Sequence, residues 1–284
     1  MAPRRHHSST SSGARPLLLL CCAIVVAGPP AALAEGIVFH VANRCPFPVW
    51  PASAPNTGHP VLAAGGFFLP PGRARRVLAP ATWNGRFWAR TGCNFTGSGG
   101  RGATAAACVT GDCGGRLACN GSAGAPPATL VEVDLREDRT KGGSSYDVSL
   151  VDGYNLPVAV STKPSTAGGP KCAIAGCAKD VNALCPPELQ VTAGAGANKT
   201  AVVACKSACL AFGLDAFCCR GAYATPAACR GSVYSRLFKD ACPAYYSYAY
   251  DTTAATASGC YAQEYVITFC PSRWGDEPDR LAQA

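Results

Sequence analysis

Three acidic side chains, Glu132, Asp147 and Asp152, lie within a short stretch of the chain and could together act on a glycosidic bond. Cleaving such a bond needs one carboxylic acid that protonates the leaving oxygen and one carboxylate that acts as base or nucleophile. A serine hydrolase is a poorer interpretation, because the only histidines after residue 34 are His40 and His59, and no G-x-S-x-G elbow is present. Carboxylate chemistry is therefore the first hypothesis.

Two predicted strands, residues 129–135 and 145–151, carry these acids. Apolar and polar residues alternate along both segments, which is typical of strands with one buried face. Glu132 and Asp147 fall on the polar faces. Asp152 follows Asp147 at an odd offset, so an unbroken strand would point it the other way. The turn after the second strand must therefore bring Asp152 round to the same side.

Other segments share this strand pattern and suggest the fold class. Further strands are predicted at 36–44, 85–91 and 261–270, with Gly and Pro turns between strands rather than long helices. This arrangement indicates a β-sandwich or barrel. Residues 179–242 differ, since they are rich in cysteine and carry two predicted helices, one at 198–213 and one at 232–240.

Composition excludes several classes of protein. With 15% charged and 48% hydrophobic residues, the 284-residue chain is not expected to be disordered. One Met, 23 Pro and 31 Gly argue against a helix bundle. The net charge of +8 falls to +5 without the first 34 residues, which contain three Arg and no acid. Because no basic run accompanies this charge, nucleic acid is not expected as a partner.

The first 34 residues follow the plan of a signal peptide. A basic start is followed by an apolar run at 17–27 and by the small residues Ala32 and Ala34 at a cleavage site. The apolar run is too short to span a bilayer, and no later segment is apolar enough to do so. We therefore expect secretion to the extracellular space (apoplast), or delivery to a vacuole if the polar tail 272–284 is a sorting signal. Glycosylation sequons begin at Asn94, Asn120 and Asn198.

Sixteen cysteines remain after the signal peptide, an even number that predicts eight disulfides in an oxidising compartment. A zinc site is disfavoured, because no Cys-x-x-Cys pair occurs and few histidines are present. We expect neither a metal nor another cofactor. Spacing does not fix the pairing, although the neighbours Cys218 and Cys219 are expected to bond elsewhere.

Several motifs match one known family. They are Asn43–Cys45, Phe87–Cys93, Cys108–Gly115 (CVTGDCGG), Tyr146–Asn155, Tyr234–Lys239 and Thr268–Pro271. Together they resemble the thaumatin-like proteins (osmotin-like, pathogenesis-related family five) over residues 36–271. The alanine-rich stretch 103–107 and the longer tail depart from the family pattern.

The resemblance implies a fold and its parts. The family has a flattened antiparallel β-sandwich core, a disulfide-rich domain of loops and short helices, and a small disulfide loop domain, with a cleft between the core and the larger domain. Here the domain would span 35–271. Its parts would be a core at 35–90, 128–178 and 243–271, a small loop domain at 91–127 and a helical domain at 179–242.

The resemblance also implies a disulfide pairing. The implied bonds are Cys45–Cys270, Cys93–Cys108, Cys113–Cys119, Cys172–Cys260, Cys177–Cys242, Cys185–Cys205, Cys209–Cys218 and Cys219–Cys229.

Five residues match the family positions that line the cleft: Arg86, Glu132, Asp147, Asp152 and Asp251. The resemblance implies a secreted antifungal protein of plant defence that binds β-1,3-glucan, as a monomer, with weak endo-β-1,3-glucanase activity as one hypothesis. Glu132 would then be the general acid, Asp147 or Asp152 would activate water or substrate, and Arg86 would orient carboxylates. The tyrosines of segment 245–250 could stack on sugars or pack in the core.

Two other interpretations stay open. A non-enzymatic interaction protein would perturb membranes, bind a receptor or inhibit a microbial hydrolase, and it would keep its activity without the cleft acids. A sweet-tasting protein is disfavoured, because lysines are few.

Overall fold

The computed structural model describes residues 36–95, 106–136, 143–163, 172–194 and 200–271. The predicted signal peptide, the C-terminal tail and the sequon at Asn198 lie outside these ranges. The described residues belong to one compact unit. Within them, no helix is long and apolar enough to cross a membrane, and no group of three or more His, Cys, Asp or Glu side chains is arranged to bind a metal ion.

The described strands form two five-stranded sheets and a separate hairpin. The first sheet contains, in spatial order, β3 (Ala74–Ala79), β1 (Ile37–Asn43), β12 (Glu264–Phe269), β7 (Val158–Lys163) and β8 (Ala173–Ile174). The second contains β11 (Ala257–Cys260), β6 (Ser144–Ser149), β5 (Leu130–Asp134), β4 (Asn84–Arg90) and β2 (Trp50–Pro55). The hairpin pairs β9 (Gln190–Gly194) with β10 (Thr200–Cys205). Strands β1 and β12 run parallel, and the other pairs are antiparallel.

One hydrophobic core lies between the two sheets, which confirms the predicted mainly-β sandwich. Phe39 of the first sheet contacts Phe87 of the second with ring centroids 4.9 Å apart. Val131 and Val148 are fully buried in the same core, whereas the acids that follow and precede them are half-buried. The alternation in the sequence therefore separated the core face of the second sheet from its outer face correctly.

The helices are short. The α-helices are α1 (Val181–Leu184), α2 (Ala208–Phe212), α3 (Asp215–Cys218) and α4 (Val233–Ala241), and 3-10 turns occur at Ala63–Gly65, Pro187–Leu189 and Gly221–Tyr223. The predicted helix at 232–240 is confirmed as α4, and its N-terminal Ser232 side chain accepts a hydrogen bond of 3.1 Å from the Ser235 N–H.

The helix predicted at 198–213 is wrong over its first half. Residues 200–205 form β10, which pairs with β9, and only the second half is helical as α2. The β-branched Val202 and Val203 favour an extended backbone, and the helical spacing came partly from cysteines whose positions are set by disulfides. Gly213 does end the helix, with a φ of +65°.

Eight disulfides connect the described parts, and they are the eight pairs that the family resemblance implies. Cys45–Cys270 joins the ends of the neighbouring strands β1 and β12 and closes a loop of 225 residues. Three bonds lie within residues 185–229, where helices and hairpin offer little apolar surface for a core of their own.

Candidate functional site: an acidic cleft on the second sheet

Three polar side chains form a row across β4, β5 and β6. Arg86 lies directly opposite Glu132, and Glu132 lies directly opposite Asp147. Side chains opposite each other on antiparallel strands have Cβ atoms about 5 Å apart. Two carboxylates and one guanidinium are thus held side by side by the strand register, on the face of the sheet that points away from the core.

The turn after β6 brings Asp152 to the same place. Its backbone closes with a 2.9 Å hydrogen bond from the Gly153 N–H to the Leu150 carbonyl, and Gly153 has a φ of +83°. A Cβ at Gly153 would lie 2.7 Å from the Cys205 carbonyl oxygen, so glycine is required there. The turn therefore overcomes the odd sequence offset of Asp152.

These acids line an open cleft of about 400 Å³. Its walls are formed by Leu130, Glu132, Asp147, Ser149, Val151, Asp152, Tyr246 and Ala249. A smaller cavity of about 210 Å³ adjoins it, shares Glu132 and Asp147, and is bounded on its far side by Asn56 and Asn84. The two cavities meet over the carboxylate pair, which can therefore contact an elongated ligand from both sides.

Asp147 carries the most perturbed carboxyl group of the cleft. Burial, followed by the charge of Glu132, raises the pKa of Asp147 to about 7. Its Oδ1 atom is buried without a hydrogen-bond partner among the described residues. A carboxyl group in this state holds its proton at mildly acidic pH and can donate it to a ligand. The sequence had instead suggested Glu132 as the general acid.

Arg86 lies beside the cleft rather than in its lining. Its Nη1 atom is 3.9 Å from Glu132 Oε1, and its Nη2 atom donates a 3.3 Å hydrogen bond to Asn56 Oδ1. The guanidinium and the carboxylate are both substantially exposed, so this ion pair is weak.

Asp251 does not line the cleft, although the family pattern places it there. It is 4% exposed and accepts hydrogen bonds from the backbone and hydroxyl groups of Ser247 and Thr253. Lys239 Nζ lies 2.8 Å from its Oδ2 atom. Burial would raise the pKa of Asp251, but Lys239 and these hydrogen bonds outweigh burial and hold the pKa well below its usual range. Its carboxylate is therefore occupied by the protein itself.

The network around Asp251 holds segment 243–251, which forms the second wall of the cleft. This segment is hydrogen-bonded to the end of β6 and the residue after it: the Tyr246 N–H donates to the Val148 carbonyl, and the Leu150 N–H donates to the Tyr246 carbonyl, both at 2.8 Å. Lys239 Nζ also donates to the Tyr245 carbonyl. The segment is thus attached to the end of β6, and Tyr246 lines the cleft together with the acids.

The tyrosines of this segment have different surroundings. Tyr245 is fully buried, and its hydroxyl group bonds to the backbone of Val158. Tyr250 donates to the Ala224 carbonyl, and Tyr248 faces a different, small cavity. Only Tyr246 belongs to the lining of the acidic cleft, so the packing interpretation applies to the others.

Sequence reasoning missed Asn56, Asn84 and Lys239. Asn84 shares the parity of Arg86 on β4, a signal that could have placed it on the outer face. Asn56 follows β2, and Lys239 lies on α4, far away in sequence. Of the predicted glycosylation sites, Asn94 and Asn120 are exposed, as a glycan attachment would require.

The fold and site define a disulfide-linked β-sandwich with an acidic cleft on one sheet. Residues 43–271 match the model of the Thaumatin family, and the chain belongs to this family. It is 51% identical over 234 residues to pathogenesis-related protein 5 of Arabidopsis thaliana, covering 82% of this chain and 90% of the relative. A thaumatin-like protein of the same plant is 48% identical over 240 residues, covering 84% and 91%.

A solved structure, that of the thaumatin-like xylanase inhibitor TLXI, is more distant. It is 23% identical, covers 82% of this chain and 99% of the inhibitor, and has a TM-score of 0.41. A similarity at this level does not transfer function. Family membership and the many disulfides are consistent with a secreted protein.

Proposed function

We propose that this chain is a secreted antifungal protein of plant defence that binds β-1,3-glucan in its acidic cleft. The observation that carries the proposal is the row in which Glu132 and Asp147 face each other, with Asp152 brought beside them by the turn after β6. Carboxylates on a concave surface accept hydrogen bonds from sugar hydroxyl groups. The name of the Arabidopsis relative, a pathogenesis-related protein, supports a role in defence.

Location follows from the same proposal. Residues 1–34 would be removed as a signal peptide, and the protein would reach the apoplast. Delivery to a vacuole would require that the tail 272–284 acts as a sorting signal. Sequencing the N-terminus of the protein recovered from apoplastic fluid tests this: a start near Glu35 is expected, and retention of Met1 would contradict it.

Binding is tested with insoluble β-1,3-glucan in a co-sedimentation assay. The double variant Glu132→Gln, Asp152→Asn should lose binding, because both acceptors facing the ligand lose their charge while the side-chain shapes are kept. Asp215→Asn is the matched control, since Asp215 is an exposed acid in an ion pair with Arg220 away from the cleft. Unchanged glucan binding in the double variant would contradict the proposal that the cleft is the binding site.

The cleft also supports weak endo-hydrolysis of the glucan. Asp147 is the better proton donor because its pKa is raised to about 7. Glu132 is 44% exposed and adjoins Arg86, so it can carry the charge required of a base or nucleophile. Asp152 is the nearest further carboxylate and can position water. This assignment exchanges the roles that the sequence alone suggested for Glu132 and Asp147.

Hydrolysis is measured as reducing ends released from a soluble linear β-1,3-glucan at mildly acidic pH. Asp147→Asn and Glu132→Gln should each lower the rate by about 10²-fold or more, as expected for loss of a general acid or base. Binding without release would leave a glucan-binding module and withdraw the acid and base roles. If neither binding nor release is found, the non-enzymatic interaction protein becomes the better interpretation.

A further inference from the structure

A second cavity, of about 530 Å³, lies outside the acidic cleft and shares no lining residue with it. Its walls come from four places: the loop after β1, the segment between β6 and β7, the start of α1, and Cys270 after β12. The lining that matters here consists of Arg44, Phe47, Tyr154, Leu156, Asp180 and Asn182. A cavity of this size is typical of small-molecule sites.

Two polar groups of this lining are buried with hydrogen-bonding capacity that the described residues do not use. They are the Tyr154 hydroxyl group, whose hydrogen has no acceptor, and the Asn182 Oδ1 atom. The amide nitrogen of Asn182 donates to the Asn155 carbonyl at 3.1 Å, which fixes the side chain so that its oxygen points elsewhere. Leaving such groups unsatisfied destabilises the folded protein. Their occurrence on one cavity therefore requires an explanation.

The charge of Asp180 reaches the same end of the cavity. Burial, followed by the charges of Asp180 and Tyr245, raises the pKa of Tyr154 well above its usual range, and a hydrogen bond that its oxygen accepts from the Val181 backbone N–H acts in the opposite direction. Asp180 itself begins α1, where its Oδ1 atom accepts a 2.9 Å hydrogen bond from the Asn182 N–H. The inner end thus groups a hydroxyl donor with two acceptor side chains.

The outer end has a different character. Phe47 is 44% exposed and Arg44 is exposed, whereas Leu156 is buried. An exposed aromatic ring next to an arginine offers an apolar surface for the C–H face of a ring, together with hydrogen-bond donors at its edge.

We infer that this cavity binds a small polyhydroxylated ligand, such as a single sugar ring or a cyclitol. A hydroxyl group both donates and accepts, so one group can accept from Tyr154 and donate to Asn182. An ammonium group would donate a hydrogen bond to Asn182, but it cannot accept one, so the Tyr154 hydroxyl hydrogen would still lack an acceptor. Neighbouring hydroxyl groups would donate to Asp180 and accept from Arg44, while the carbon face rests on Phe47. Small side-chain rotations that admit a ligand to such walls are common on binding.

The test is saturation-transfer NMR on the full mature protein with methyl β-D-glucoside and myo-inositol as probes. L-phenylalanine serves as a zwitterionic comparison. Both polyols should bind weakly, in the millimolar range. Tyr154→Phe removes a buried hydroxyl group whose hydrogen has no acceptor and whose oxygen accepts only from the Val181 N–H, so it should change the melting temperature little and still weaken polyol binding about fivefold. Arg44→Gln should weaken it by a similar factor.

The cleft variant Glu132→Gln, Asp152→Asn keeps this test separate from the proposed function. Polyol binding should be unchanged in it, whether or not glucan binding is lost. The inference is overturned if neither polyol binds, if Tyr154→Phe and Arg44→Gln bind as the unaltered protein does, if the cleft variant abolishes binding, or if L-phenylalanine binds and the polyols do not.

Discussion

Asp112, in the loops after β4, and Asp147, in the cleft, have the same type of side chain but differ in their hydrogen-bond partners. Asp112 is 7% exposed and accepts four backbone hydrogen bonds, from Ala107, Cys108, Gly114 and Gly115, at 2.8–3.1 Å. Asp147 is also largely withdrawn from water, yet one of its oxygens has no partner among the residues that the structure describes. Burial alone therefore does not give a carboxylate its role: the donors around it decide.

Arg90, at the end of β4, is hydrogen-bonded to these loops in a similar way. Arg90 is fully buried and donates to the carbonyls of Trp50, Arg116 and Leu117 at 2.8–3.0 Å. Burial lowers the pKa of Arg90 to about 10, partly offset by Asp112. Charges in this region serve as hydrogen-bonding centres for loops that lack regular strands. In the cleft, by contrast, the Asp147 Oδ1 atom accepts no hydrogen bond from the described residues.

The largest effect expected from this difference is on Asp112. Asp112→Ala leaves four backbone N–H groups without their acceptor, and we expect it to lower the free energy of unfolding by about 3–5 kcal/mol. Urea unfolding with the disulfides intact measures this. Asp147→Ala provides the comparison, and an equal or greater loss there would contradict the distinction between the two regions.

Asp251 should behave like Asp112 rather than like the cleft acids. Asp251→Asn breaks the ion pair with Lys239 and should cost about 2–4 kcal/mol of stability, since a buried charge loses its partner. Glucan binding measured well below the melting temperature should fall less than it does in Asp152→Asn. A stable variant that has lost binding would instead return Asp251 to the ligand-contacting set.

Asp147 should make stability depend on pH in the opposite sense to an ordinary paired acid. Its folded pKa of about 7 lies above the usual 3.8, so the folded state holds the proton more tightly than the unfolded state. The free energy of unfolding then decreases as pH rises from about 4 to 7. Asp147→Asn should therefore be more stable than the unaltered protein at pH 7.5, by on the order of 1–2 kcal/mol, and no more stable at pH 4. Thermal unfolding of both proteins at pH 7.5 and at pH 4 tests this prediction.

Arg86 should show the smallest effect. Its pair with Glu132 is long and exposed, so Arg86→Gln should change the free energy of unfolding by less than about 1 kcal/mol. Glucan binding should weaken about two- to fivefold, because Glu132 loses the group that orients it. A loss of stability as large as that of Asp251→Asn would mean that Arg86 belongs to the framework.

The sequence predicted what depends on local pattern. Alternation placed Val131 in the core and Glu132 outside, and the odd offset of Asp152 showed that only a turn could bring it beside the other acids. The burial of Asp147 was not predictable, because it depends on how segment 243–251 lies against the end of β6. Asp251 was predicted in the cleft because its residue type matches the family position. Its ion pair with Lys239 of α4 could not be predicted, because the two residues are brought together only by the tertiary fold. The helix predicted at 198–213 was partly wrong because a strand partner decides such ambiguous segments.

The bond between Cys45 and Cys270 also determines how the domain responds to mechanical load. Because β1 and β12 are parallel neighbours, a pull on residues 36 and 271 follows β1 to Cys45 and crosses the disulfide to Cys270. The residues between the two cysteines lie off this line of tension. The cleft therefore keeps its shape while the chain ends are stretched, until either β1 slides out of the sheet or the covalent bond is reduced.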